Sequence, residues 1–243
     1  MFDSTKIKDE IVQWIKAYFK QNASQATKAI IGISGGKDSS IVAALCVHAL
    51  GKKRVFGVLM PDGSQQDIGM SYDICAALDI DYIEVNIHDS VQALYAQIKS
   101  QNLELNTVAT FNTPSRIRMA MLYAVSAIVG GRVANTSNLS EDYIGYATKF
   151  GDTAGDFSPL SNFTVSEVKA IGYALNLDKK FIEKPPLDGL CGKTDEDNLG
   201  FSYDVLDSYV RHNRRIDPKI RKVIDGLHKN NLHKVQPMPK FDY

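Results

Sequence analysis

A glycine-rich turn set between a β-branched run and a helix-forming run constrains this chain more than any other feature. Gly32-Ile33-Ser34-Gly35-Gly36-Lys37-Asp38-Ser39 follows Ala29-Ile30-Ile31 and precedes Ile41-Val42-Ala43-Ala44-Leu45. Strand, tight turn and helix in that order aim the turn's N–H groups and the helix N-terminus at one point, an anion site. Gly35 and Gly36 permit angles and close approach that a Cβ forbids, and Ser34 and Ser39 add hydroxyl donors. Asp38 is the odd residue. A carboxylate repels a cradled phosphate unless a divalent cation lies between them, so the turn calls for Mg²⁺ as well as phosphate. The P-loop pattern does not fit, because Lys37 is followed by Asp38 and the glycine spacing is one residue short.

Further strands and helices alternate beyond that turn. Residues 54–60 and 81–87 have the composition of strands, 67–78 and 88–100 of helices, and Arg132-Val133-Ala134-Asn135 of a short fourth strand. Ser4 and Thr5 precede an amphipathic first helix whose apolar stripe includes Ile11, Ile15 and Phe19. Such alternation predicts an α/β fold, a doubly wound parallel sheet with helices on both faces and its site where the winding reverses. Residues 101–112 are expected as a polar loop, with Pro114 in the first turn of a helix over 115–129. That helix is apolar all round, which predicts cover by a second subunit as well as by the sheet. Residues 145–156, rich in Gly, Thr and Asp, and the polar stretch 188–200 are expected as functional loops. Thr164-Val165-Ser166-Glu167 is a capping box, and helices are expected over 203–212 and 217–229.

Bulk properties narrow the function. At 243 residues and 44% hydrophobic content the chain suffices for one sizeable domain, expected as an α/β core over about 26–180 with a helical segment over about 201–243. Net charge is zero, which gives no global attraction to nucleic acid or to an anionic membrane. The three cysteines, Cys46, Cys75 and Cys191, are too widely spaced for a C-x-x-C pair, and fit a reducing compartment. Without a basic start followed by an apolar core, and without roughly 18 consecutive apolar residues, the expected location is cytoplasmic.

The S-G-G-x-D-S string resembles the pyrophosphate loop of enzymes that split ATP between its α and β phosphates. Three further stretches resemble one family among them, ammonia-dependent NAD synthetase. They are Asn112-Thr113-Pro114-Ser115-Arg116-Ile117-Arg118-Met119; Thr136 to Glu141 running on into Gly145 to Asp152; and Lys193 to Tyr203. The resemblance implies an adenine nucleotide α-hydrolase-like (Rossmann-like) fold. It also implies a homodimer that amidates deamido-NAD with ammonia, using ATP and Mg²⁺, through an acyl adenylate. By the same resemblance Gly32, Ile33, Ser34, Gly35, Gly36, Lys37, Asp38, Ser39 and Thr136 bind ATP, and Asp38 and Glu141 hold the metal. Arg116, Lys149, Asp156, His233 and Lys234 are implied to contact deamido-NAD. No side chain is expected as a covalent nucleophile, since the substrate's carboxylate fills that role. With no room for an amidohydrolase domain, free ammonia is the expected nitrogen donor.

Each assignment has a plainer alternative in the residues alone. Arg116 fits a surface charge, Glu141 a solvated loop acid, and His233-Lys234 a solvated basic pair. Lys149 and Asp156 fit an exposed ion pair worth at most about 1 kcal/mol. Gln65 and Gln66 fit a nucleotide contact and a polar loop cap equally. Val165 stands where many family members carry Lys, Leu187 where they carry Ser or Thr, and Asn135 where glycine is common. Lys37, Lys184 and Lys193 are the candidates to replace the missing lysine. Two rival functions follow: an ATP pyrophosphatase amidating a different acid, and a nucleotide-binding protein that has lost its chemistry.

Overall fold

The computed structural model describes residues 2–184 and 194–242. In chain order the elements are α1 (Ser4–Asn22), β1 (Lys28–Gly32), α2 (Lys37–Leu50), β2 (Val55–Leu59), α3 (Ile68–Leu78), β3 (Asp81–Glu84), α4 (His88–Lys99), α5 (Thr107–Val129), β4 (Gly131–Val133), α6 (Leu139–Ile144), α7 (Val165–Ala174), α8 (Lys179–Ile182), α9 (Asp195–Leu199), α10 (Tyr203–His212) and α11 (Pro218–Asn231). The strands are parallel and ordered β3-β2-β1-β4. Ile30 of β1 pairs with Phe56 on one side and Val133 on the other. The winding therefore reverses at β1, and the glycine turn leaves the sheet at that point.

Alternation along β1 divides the core. Ala29 and Ile31 face α1, α2, α3 and α7, in one apolar layer with Ile15, Ile41, Leu45, Ile74 and Ile171. Ile30 faces the opposite way, onto Ile87, Val91, Tyr95 and Val125 of the segment containing α4 and α5. Successive strand side chains point to opposite faces, so an unbroken apolar run is what a strand covered on both sides requires. Each fully buried Ile contributes about 1.5–3 kcal/mol. A third apolar group, Ile144, Val165, Phe201, Tyr203, Leu206 and Ile224, joins α6 and α7 to α10 and α11.

The region before α5 departs from expectation. Residues 101–112 are not loop throughout: α5 starts at Thr107, where the Asn106 side chain accepts from the Ala109 N–H, and Pro114 lies inside the helix. Proline removes the bond to the carbonyl four residues back, here Thr110, at a typical cost of about 3 kcal/mol. The Tyr95 hydroxyl from α4 donates to that carbonyl at 3.2 Å, so the orphaned acceptor is satisfied from a neighbouring helix. β3 is shorter than its apolar run, ending at Glu84, and all four of its residues are exposed at the sheet edge. Part of 188–200 is also helical, since α9 opens on a capping box between Thr194 and Asp197. Leu187, Lys193 and the rest of 185–193 lie outside the described residues.

Candidate active site

The glycine turn is locked by its own serines. Gly35 adopts φ +74°, and a Cβ there would lie 2.9 Å from Met70 Cβ and 3.0 Å from the Ser71 N and Oγ, so both its angle and its space demand glycine. The Gly36 N–H donates to Ser34 Oγ at 3.3 Å, and the Ser34 and Ser39 hydroxyls lie 3.2 Å apart. Ser39 Oγ and Ser40 Oγ donate to the Gly36 carbonyl at 3.1 and 2.8 Å. Gly36 is the N-cap of α2 and offers no side-chain cap, which leaves the helix's first-turn amides as donors for a ligand.

A cavity of about 160 Å³ opens beside this turn, at the carboxyl ends of β1 and β4. Ser34, Gly36, Asp38, Ser39, Thr136 and Glu141, all named from the sequence, line it together with Ser137, Tyr146, Ala147 and Asp152. Asp38 and Glu141 are joined through a residue that the sequence reading assigned no role. Asn138, fully buried, donates from Nδ2 to Asp38 Oδ1 at 3.2 Å and accepts the Glu141 N–H on Oδ1 at 3.1 Å. The N-x-x-E spacing of Asn138 and Glu141 is a helix N-terminus signature, the signal by which it was findable. Burial first, and then the charge of Asp38, push the Glu141 carboxyl up to about 8. Burial and a nearby acid thus both disfavour a charge on Glu141.

Lys37 is the cation present. It is 4% exposed, its Nζ lies 2.8 Å from Asp38 Oδ2, and the ammonium sits 5.9 Å from the ring centre of Tyr203. Burial pulls its proton affinity down, but Asp38, Glu141 and Asp195 outweigh that and hold it above the usual lysine range. Of the other lysine candidates, Lys184 is paired with Asp67, which also receives the Gln65 amide at 2.9 Å. Gln65 thus bonds within its own loop in this structure. Val165 is buried at the first position of α7 among Ile144, Phe201 and Tyr203. Its helix start is fixed by Asp207, which accepts from Ser140 Oγ, Ser166 N and Ser166 Oγ at 2.5, 2.9 and 2.7 Å.

The residues implied for the second substrate come from distant segments. Arg116 Nε donates to the Lys149 carbonyl at 3.2 Å, Lys149 Nζ to the His233 carbonyl at 2.6 Å, and Lys234 Nζ to the Gly145 carbonyl at 2.8 Å. Asp156 lies apart from these bonds, accepting the Val133 N–H at 2.7 Å and the Tyr123 hydroxyl at 3.3 Å. Lys149 and Asp156 thus have different partners and do not form the ion pair that was their plainer reading. Tyr123 was missed, although it lies two helical turns from Arg116 on one face of α5. Asn135 is 6% exposed and anchors the loop after α6. Its Nδ2 donates to the Asp152 and Ala154 carbonyls at 2.8 and 3.3 Å, and its Oδ1 accepts from Ser137 N and Ser158 Oγ at 2.9 Å each.

A parallel sheet with a glycine turn at its reversal point has the adenine nucleotide α-hydrolase-like architecture, and in class this is a nucleotide-binding α/β protein. The family follows from comparison: the model of the NAD synthase family matches residues 7–240, and the chain belongs to that family. It is 38% identical over 208 residues to the NH(3)-dependent NAD(+) synthetase of Methanocaldococcus jannaschii, covering 84% of this chain and 80% of that protein. Among solved structures, NMN synthetase from Francisella tularensis superposes with a TM-score of 0.91 at 29% identity, covering all of both chains. The NH3-dependent NAD synthetase from Campylobacter jejuni, in complex with the nitrate ion, superposes at 0.82 and 30% identity, again over both whole chains. Among the described residues no helix is long and apolar enough to cross a membrane.

Proposed function

We propose that this chain is a ligase that makes NAD from deamido-NAD, ATP and ammonia. The observation that carries the reading is the convergence of Asp38 and Glu141, bridged by Asn138, on the cavity beside the glycine cradle. The donor set fits Mg²⁺, which is commonly bound by one or two carboxylates with phosphate oxygens and water completing its shell. When bound, the ion would neutralise charge on the triphosphate and on the departing pyrophosphate. Gly35, Gly36 and the first-turn amides of α2 hold the β and γ phosphates, with Ser34, Ser39 and Thr136 bonding phosphate oxygens. The nicotinate carboxylate attacks the α-phosphorus and pyrophosphate leaves into the cradle. Ammonia then adds to the acyl carbon, loses a proton, and AMP departs. Preset donors act where charge develops, and electrostatic preorganisation of this kind is usually the largest catalytic contribution. Arg116, Lys149, His233 and Lys234 form a basic rim for the phosphates of deamido-NAD, with Tyr123 of α5 and its partner Asp156, from the segment between α6 and α7, beyond it. The cavity, at about 160 Å³, is smaller than the roughly 300–1,000 Å³ of ordinary ligand pockets, which suits the phosphate end of a nucleotide.

The working unit is a homodimer acting in the cytoplasm on small molecules, with no nucleic-acid or membrane partner. What supports the dimer is a stripe on α5 in which Ala120, Ala124, Ala127 and Ile128 are exposed, Ile128 by 83%. The Francisella likeness favours a second reading, in which nicotinate mononucleotide is the acid amidated. Both readings use the same reacting carboxylate and differ by the AMP half of the dinucleotide. One assay separates them: ATP, Mg²⁺ and ammonium are supplied with either acid, and pyrophosphate release is followed together with the amide product. Turnover that needs deamido-NAD is the expected result. Turnover with the mononucleotide alone selects the second reading, and turnover with neither overturns both.

A further inference from the structure

Lys37 is an unusual neighbour for a metal site. Its ammonium makes an ion pair at 2.8 Å with Asp38, one of the two acids offered to the divalent cation, and it does so 4% exposed. A buried ion pair cannot be relieved by water when one partner is taken away, so whatever binds Asp38 must also move or rehouse the lysine. The side chain has somewhere to go. Its other near neighbours belong to the C-terminal part of the chain: the Tyr203 ring, 5.9 Å from Nζ, and Asp195, 7% exposed and accepting from the Tyr203 hydroxyl at 3.4 Å.

We propose that Lys37 is the resident counter-ion of the metal position, neutralising Asp38 while nucleotide is absent and passing to the phosphates, Asp195 and the Tyr203 face when metal and ATP arrive together. This rests on the assignment of Asp38 and Glu141 to the cation. The consequence is thermodynamic. A divalent ion entering alone must separate the ammonium from Asp38 and brings no anion of its own to take that place, so it binds poorly. An ion entering with ATP brings phosphate oxygens for the ammonium to join. Metal and nucleotide therefore strengthen each other's binding, and by linkage the factor is the same in both directions.

The test uses Mn²⁺ as the probe, with free Mn²⁺ read by electron paramagnetic resonance in the absence and presence of an ATP analogue that is not cleaved between its α and β phosphates. In Lys37→Met, Mn²⁺ alone should bind at least about tenfold tighter than in the unaltered protein, and the mutual enhancement by the analogue should shrink by a similar factor. Equal Mn²⁺ affinities, with Asp38→Asn abolishing binding in both backgrounds, would overturn the counter-ion role and leave the metal site standing. Binding in Lys37→Met that is indifferent to Asp38→Asn would instead remove the site itself. Should Lys37→Met fail to fold, the unaltered protein suffices: the ¹⁵N-labelled Lys37 ammonium resonance must shift when Mg²⁺ and the analogue are added together. A resonance that stays in place would refute the exchange of partners.

Discussion

At the scale of single residues, the site is a problem of charge placed where water is scarce. Asp38 has the Lys37 ammonium on one oxygen and the Asn138 amide on the other, so replacing it alters chemistry more than packing. Asp38→Asn should reduce turnover by about 10²–10³-fold, the loss typical when a preset electrostatic partner is removed, with the melting temperature changed by only a few degrees. Steady-state kinetics with saturating Mg²⁺ and a thermal melt check both parts, and near-normal turnover would take Asp38 out of the metal site. Asp38 stood out in sequence because an acid is unusual within a glycine-rich strand-to-helix turn, and the structure sets it on the cavity beside that turn. Asn138 did not, since an Asn before a helix is an ordinary cap, and only the fold shows that the same amide also reaches Asp38, a hundred residues earlier. Asn135 shows the same limit. In sequence it was a departure from glycine, whereas in the structure its side chain supplies the bonds that hold residues 152–158 against the end of β4.

At the scale of elements, α5 shows why its start was misplaced. Proline in a helix interior is disfavoured on local grounds, and from sequence Pro114 was best put in a first turn. The compensating bond comes from Tyr95 of α4, and no local pattern announces it. Tyr95→Phe should destabilise the protein by about 0.5–1.5 kcal/mol, the usual net worth of one hydrogen bond, since Thr110 is exposed and the bond only part-buried. In a Pro114→Ala background the backbone itself satisfies Thr110, so the same substitution should cost less than half as much. A double-mutant cycle in urea gives the comparison, and equal costs in both backgrounds would show that Tyr95 does not replace the missing bond. The alternating elements β1 to α4 were legible, because apolar periodicity and glycine stops are local properties.

At the scale of the whole molecule, the outer stripe of α5 is left uncovered in a single chain. An isolated subunit has no use for an Ile that is 83% exposed beside three exposed alanines, and small residues along a helix allow close approach of a second one. Ile128→Asp should leave the monomer's fold intact and shift the protein from dimer to monomer in sedimentation equilibrium. It should also lower activity, because the stripe runs into the face that carries Arg116 and Tyr123. An unchanged dimer would place the interface elsewhere.

Sequence alone determined the strand-turn-helix unit, the need for glycine at its bend, the acid within it and the parallel winding of the sheet, because each is set by residues within a few positions of one another. Tertiary structure decided which distant groups share one space: Lys149 on the carbonyl of His233, Tyr203 beside Lys37, Asn138 between Asp38 and Glu141. The physical reason is that backbone preference is a short-range effect, whereas the energy of a buried charge depends on every group the fold brings within a few ångströms of it.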